Sequence, residues 1–303
     1  MTFHFQLSIF NSQFSILEME RVRKPEWLKI SIGANERYTE TKRIVESHCL
    51  HTICSSGRCP NMGECWGQGT ATFMIGGNIC TRSCKFCNTQ TGRPLPLDPQ
   101  EPTHVAESVR LMKLSHAVVT SVDRDDLPDL GAAHWAQTIA EIRRLNPETT
   151  LEVLIPDFQG RRELVEQVIE ARPDIISHNM ETVRRLSPLV RSAARYDTSL
   201  EVIRQIAASG ITAKSGIMVG LGETPAEVEE LMDDLRAAGC QIMTIGQYLQ
   251  PSHRHYPVAE YVTPEQFKRY EETGLAKGFT QVESGPLVRS SYHAEKSLRY
   301  LKK

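Results

Sequence analysis

A chain of 303 residues with 40% hydrophobic and 24% charged residues has the size and composition of one large globular α/β domain with short extensions. Its formal net charge of −2 speaks against a generic nucleic-acid binder, and no apolar run reaches the roughly 18 residues that span a bilayer. Eight cysteines are too few for a disulfide scaffold, and six of them fall in two tight clusters, which indicates metal-binding loops in a reducing compartment.

Met1 to Leu17 is mildly apolar but lacks a basic start and a small-residue cleavage site, so it is a poor signal peptide. The first 18 residues are set aside, either as a misassigned start ahead of Met19 or as a dispensable tail. Arg21 to Leu50 reads as an extended basic stretch followed by a helix from Arg37 to Glu46. Lys24-Pro25-Glu26-Trp27-Leu28 within it is read as a docking patch or a solvated arm.

The first cysteine cluster, Cys54, Cys59 and Cys65, has the spacing C-x4-C-x5-C. Its Gly and Pro residues permit a tight loop on which several ligands converge. The spacing matches neither paired C-x2-C zinc motifs nor ferredoxin spacings, although a zinc or disulfide arrangement stays open. Cys49 and Cys240 lie outside both clusters and are expected to be ordinary small buried residues.

Thr70 to Asn78 reads as a β-strand running into a glycine-bearing loop. On that loop sit Cys80, Cys84 and Cys87, spaced C-x3-C-x2-C. Three thiolates on a four-iron cluster leave one iron free for a small molecule. A zinc knuckle is the alternative, but it calls for a fourth ligand that this run does not supply.

Strand and helix patterns then alternate. Helices are expected at Pro102–Leu114, Gly131–Leu145, Gly160–Ala171, Ser199–Ser209, Pro225–Ala238 and Pro264–Lys277, and strands at His116–Val122, Thr149–Ile155, Asp174–Asn179, Thr212–Leu221 and Gln241–Tyr248. Counted from Thr70 there are six strands, which argues for a parallel sheet with helices outside it. The count does not separate a partial barrel from an open doubly wound sheet.

In parallel α/β folds the residues that act collect at C-terminal strand ends. The Asp123-Arg124-Asp125-Asp126 loop is one such candidate, unless it is simply a solvated acidic turn. Glu152 lies within an apolar strand, where a carboxylate is costly without a partner. It is read as a cofactor contact or as half of an ion pair. Asn179 and Glu181 are candidates to reach a cofactor, with helix capping as the alternative. Lys214, in a glycine-bearing stretch that is not a P-loop, is a further candidate. His253 and His255 are read as ordinary loop residues.

The chain resembles the radical S-adenosylmethionine (SAM) superfamily through Cys80-Thr81-Arg82-Ser83-Cys84-Lys85-Phe86-Cys87. It resembles the lipoyl synthase family more specifically, through Leu50 to Cys54, Asn61 to Trp66 and the closing Arg289-Ser290-Ser291-Tyr292-His293. The likeness runs from about Arg23 to the C-terminus, and the segment after Met19 resembles the usual start of the family.

That resemblance implies a partial (β/α)6 TIM-type barrel with N- and C-terminal extensions: residues 1–69 carrying an auxiliary cluster loop, 70–278 forming the barrel, and 279–303 closing the auxiliary site. It implies two 4Fe-4S clusters, one on Cys80, Cys84 and Cys87 with SAM at its open iron, the other on Cys54, Cys59, Cys65 and Ser291. A serine alkoxide is a weak ligand for soft cluster iron, as suits a cluster that is dismantled. Glu152, Asn179, Glu181 and Lys214 are carried forward as SAM contacts. The implied reaction inserts sulfur at C6 and C8 of an octanoyl chain on a lysine of a lipoyl carrier domain. The implied partners are 2-oxoacid dehydrogenase E2 subunits and the glycine cleavage H protein, an electron donor such as flavodoxin or ferredoxin, and no nucleic acid or membrane. The implied compartment is the cytoplasm. A biotin-synthase-like enzyme and a non-catalytic electron carrier are the competing readings.

Overall fold

The computed structural model describes residues 23–29, 35–292 and 294. The expectations for the first 18 residues, for the arm before Arg23, and for His293 and residues 295–303 of the C-terminal segment lie outside the described residues.

Helix α1 (Glu36–Ser47) starts where the Asn35 side chain accepts from Tyr38 N, an N-cap that satisfies one of the orphan donors of the first turn. Next come β1 (His51–Thr52), α2 (Ile53–Ser56) and α3 (Met62–Gly67). The sequence suggested one continuous loop here. Instead Cys54 and Cys65 sit on short helices, the first of them capped by the Thr52 hydroxyl, which accepts from Ser55 N.

The body alternates as follows: β2 (Thr72–Ile75), the small pair β3 (Ile79–Cys80) and β4 (Gln90–Thr91), α4 (Glu101–Leu111), β5 (His116–Ser121), α5 (Ala132–Leu145), β6 (Thr150–Leu154), α6 (Arg162–Glu170), β7 (Ile175–Ser177), α7 (Ser187–Val190), α8 (Tyr196–Ala208), β8 (Thr212–Val219), α9 (Pro225–Ala237), β9 (Ile242–Gln247), α10 (Pro264–Ala276) and β10 (Gln281–Gly285). Helix α9 shows how sharply the sequence marks its ends. Thr224 and Glu227 form a capping box ahead of Pro225, and Gly239 follows the helix at φ 85, where a side chain would be strained.

The large sheet has the order β1-β2-β5-β6-β7-β8-β9-β10. Every pairing is parallel except that of β1 with β2. The strands follow one another without reversal, so there is no switch point of the doubly wound kind. The sheet is open, with β1 and β10 as its edges. Six strands were expected; β10 extends the parallel series by one and β1 adds an antiparallel edge.

One face of the sheet packs on the helices through Phe73, Ile75, Ala117, Val119, Leu151 and Val153, all buried in one continuous apolar core. Because side chains alternate along a strand, the other face carries Thr72 and Met74, then His116, Val118 and Thr120, then Glu152. This inner face is buried yet largely polar, and the two cavities described next open onto it.

Candidate active site

Cys80 ends β3, and the loop that follows returns through β4, which pairs in parallel with β3. The loop is fastened at several points. Arg82, with its side chain 5% exposed, binds Asp125 at 2.7 Å, Asp157 at 2.8 Å and Asp123 at 3.3 Å. These carboxylates follow β5 and β6, so one guanidinium ties the cysteine loop to two strand ends. Lys85 N donates to Val190 O, Tyr256 N to Lys85 O, and a ring nitrogen of His255 lies 3.0 Å from Cys87 O. His255 is therefore a brace for the loop rather than a bystander. The acidic turn is likewise no solvated surface loop, since Asp123 and Asp125 share Arg82.

The sulfurs accept hydrogen bonds. Arg82 N and Asp123 N approach Cys80 Sγ at 3.4 and 3.3 Å, and Thr89 N approaches Cys87 Sγ at 3.4 Å. Burial pushes the Cys80 thiol up to about 12, with the Asp123 carboxylate adding to the shift, and it also raises Cys87. Burial lifts Asp123 to about 6 against the pull of Arg82. Such sulfurs become thiolates when a metal centre supplies the opposing charge.

Beside Cys84 lies a cavity of about 140 Å³ that Asp123, Asn179, Glu181 and Arg191 also line. Asn179 Nδ2 donates to Glu181 Oε1 at 3.1 Å. Asn179 Oδ1 is buried with no hydrogen-bond partner, an acceptor left over close against Gly216. Neither residue caps a helix. Burial raises the Glu181 carboxyl while Arg191 draws it back. His178, at the same end of the sheet, is buried between Ile155 O and Ser199, and burial lowers it to about 4.

Of the two readings of Glu152 the structure shows the ion pair, and Lys214 is its partner. They pair with each other at 2.7 Å with side chains 1% and 2% exposed, and neither lines the cavity beside Cys84. The reason is position: each is the third residue of its strand, short of the C-terminal end, deep on the inner face where two opposite charges neutralise one another.

The other thiols gather elsewhere. Cys54, Cys59, Cys65 and Ser291 line one cavity of about 290 Å³, together with Thr72, His116 and Arg289. Ser291 comes from the far end of the chain and is held there: Thr72 Oγ1 donates to Ser291 Oγ at 2.8 Å, and Asn61 Nδ2 to Leu287 O at 2.7 Å. Burial raises the Cys54 and Cys59 thiols. Burial also pushes the Arg289 guanidinium down, countered by Cys59. Three soft donors and one hydroxyl around a roomy cavity, with a half-buried cation beside them, suit an anionic iron–sulfur cluster. Asn88 Nδ2 donates to Ser56 O, which joins the two cysteine loops.

This second cavity lies at the N-terminal ends of β2 and β5, not at the C-terminal ends where acting residues were sought. Strand β5 connects the two. His116 and Val118 border the cavity of Cys54, and Thr120, on the same face, borders the cavity of Cys84. From His116 to Thr120 is four residue steps along the strand, about 13 Å.

Of the sequence candidates, the structure brings together Cys80, Cys84, Cys87, Asn179 and Glu181 at one end, and Cys54, Cys59, Cys65 and Ser291 at the other. Reading residues one by one missed Arg82, Asp157, Arg191, Ser192 and Arg289 as site residues. Two of them had a signal, since Arg82 lies inside the cysteine motif and Arg289 inside the Arg-Ser-Ser-Tyr motif. Cys240 is fully buried as expected, and burial pushes it up to about 12. Cys49 is exposed, because it leaves α1 in a left-handed conformation with φ 52.

Among the described residues no helix is long and apolar enough to cross a membrane. The family model described as the radical SAM superfamily matches residues 74–235. A lipoyl synthase of Bacteroides fragilis is 85% identical over 281 residues, 93% of this chain and 98% of that one. A lipoyl synthase of Bacteroides thetaiotaomicron is 82% identical over 280 residues, 92% of this chain and 99% of that one. Among solved structures, Streptococcus suis SuiB bound to S-adenosylmethionine superposes with a TM-score of 0.57 at 10% identity, over 75% of this chain and 55% of that one.

Proposed function

The chain belongs to the lipoyl synthase family of the radical SAM superfamily, and we propose from that premise which of its residues carry the reaction. The enzyme inserts two sulfur atoms, at C6 and C8, into an octanoyl chain held in amide linkage to a lysine of a lipoyl carrier domain. The carriers are E2 subunits of 2-oxoacid dehydrogenases and the glycine cleavage H protein, the electron donor is a flavodoxin or ferredoxin, and the compartment is the cytoplasm. The fold is best read as a partial (β/α)6 barrel, with residues 1–69 and 279–303 as extensions that carry the auxiliary site between them.

Cys80, Cys84 and Cys87 would hold one 4Fe-4S cluster, and Cys54, Cys59, Cys65 and Ser291 the other. When bound, the first would supply the electron for reductive cleavage of SAM, and the second would supply the sulfur. The protein's own work is positional. Arg82, clamped by three carboxylates, fixes the first loop to the ends of β5 and β6. Asn179 and Glu181 take polar groups of SAM. Between the two cavities the inner face offers Met74 and Val118, both buried, as an apolar wall for the octanoyl chain. Keeping water from that wall and fixing the distance between reactants is how an enzyme governs a radical it cannot otherwise restrain.

The observation that carries this reading is the arrival of Cys54, Cys59, Cys65 and Ser291 on one cavity, at the opposite end of β5 from Cys84. Iron and acid-labile sulfide per chain should fall from about eight to about four in Cys54→Ala/Cys59→Ala/Cys65→Ala. That variant should still form 5′-deoxyadenosine and should insert no sulfur. Four irons in the parent, unchanged in the variant, would remove the two-cluster assignment.

A further inference from the structure

The three sulfurs of the Cys80 loop are hydrogen-bonded in different ways. Cys80 Sγ accepts from two backbone N–H groups and has the Asp123 carboxylate at 3.6 Å, and Cys87 Sγ accepts from Thr89 N with the Thr89 side chain also beside it. The backbone donors stay whatever side chain stands there. Cys84 Sγ has a different neighbour, the hydroxyl of Ser192 at 3.6 Å.

The direction of that bond follows from the proton inventory. Ser192 Oγ already accepts from Ser83 N at 3.1 Å, which leaves its single proton to donate. A cysteine that ligates iron has no proton of its own, so the hydroxyl donates to the sulfur. The two bonds run in series, amide to hydroxyl to sulfur, and each polarises the next. Ser192 is also held in place: it follows Arg191, which lines the cavity beside Cys84, and Lys85 N is bonded to Val190 O two residues before it.

We propose that Ser192 is a positioning residue that sets the reduction potential of the cluster on Cys80, Cys84 and Cys87, by donating a hydrogen bond to the Cys84 sulfur. This rests on the assignment of Cys84 as a ligand. A donor at a ligating sulfur favours the state with more negative charge, and hydrogen bonds to sulfur are one of the protein's levers on cluster potential. Removing the hydroxyl makes the cluster harder to reduce.

The test uses the full chain carrying Cys54→Ala/Cys59→Ala/Cys65→Ala, so that one cluster reports. Its midpoint potential is measured by anaerobic titration followed by EPR, at known iron content. Ser192→Ala should shift the potential to a more negative value at unchanged iron, and Ser192→Thr should restore it. An unchanged potential in Ser192→Ala would overturn the proposal. If alanine loads less iron, Ser192→Thr and Ser192→Val, close in size and differing in the hydroxyl, are compared at equal iron content. Threonine should titrate at the less negative potential, and equal values would overturn the proposal. A parent that binds no iron at all would instead remove the assignment of Cys80, Cys84 and Cys87, and this inference with it.

Discussion

Lys214 and Glu152 show what a single side chain does inside a sheet. Each is almost fully buried and each neutralises the other at 2.7 Å. Burial alone would raise the Glu152 carboxyl, yet Lys214 and then His116 hold it below the ordinary carboxylate range. Removing one partner strands the other charge away from water. Lys214→Met is therefore expected to lower stability by about 3–5 kcal/mol, measured by urea denaturation, while Lys214→Met/Glu152→Gln should recover much of that loss. A double variant as unstable as the single one would contradict the pairing. At this scale the sequence was half legible. An acid among Leu151, Val153 and Leu154 announced that it needed a partner, but a partner 62 residues along is fixed by strand order, which a local pattern does not contain. Arg82 is a similar case: its place in the motif was visible, its three carboxylates were not.

Among elements, the segment after β10 decides the shape of the second cavity. Gly246 lies opposite Gly285 in the β9–β10 register, and a Cβ on Gly246 would run into the Val288 carbonyl. The segment that delivers Ser291 is thus laid directly against β9. Gly246→Ala should push it away, at a cost of about 1–3 kcal/mol for overpacking, and should make the chain beyond Gly285 more readily cut in limited proteolysis. Wild-type stability with wild-type cleavage would show that the contact is slack. The long elements from α4 to α10 were readable because their periodicity spans several turns or strand alternations, and capping residues such as Thr224 mark their starts. The elements α2, α3, α7, β1 and β10 were not, since two to six residues hold too little pattern. Their boundaries are set by what they pack against: β1 exists because β2 offers an antiparallel edge, and α2 because Thr52 caps it.

For the molecule as a whole, acid tests the groups that the fold holds neutral. His178 is buried and lowered to about 4, so it is neutral in the fold. A histidine whose folded value lies below its unfolded one contributes stability that is complete above about pH 6.5 and is lost as pH falls toward 4. Measured as stability against urea, the native chain should lose roughly 3 kcal/mol more than His178→Leu between pH 6.5 and 4. Parallel curves would show that His178 is charged or accessible in the fold. Although β2 and β10 lie near opposite ends of the strand order, the segment after β10 carries Ser291 back to Thr72 at the start of β2, and this is why the N-terminal thiols and the C-terminal serine share one cavity. That geometry sets a timetable for biosynthesis. Thr72 waits for Ser291 across 219 residues, and at roughly 5–20 residues per second a ribosome takes on the order of ten to forty seconds to supply it. A nascent chain therefore carries Cys54, Cys59 and Cys65 long before their closing residue exists, and only a fully translated polypeptide presents the complete set of four.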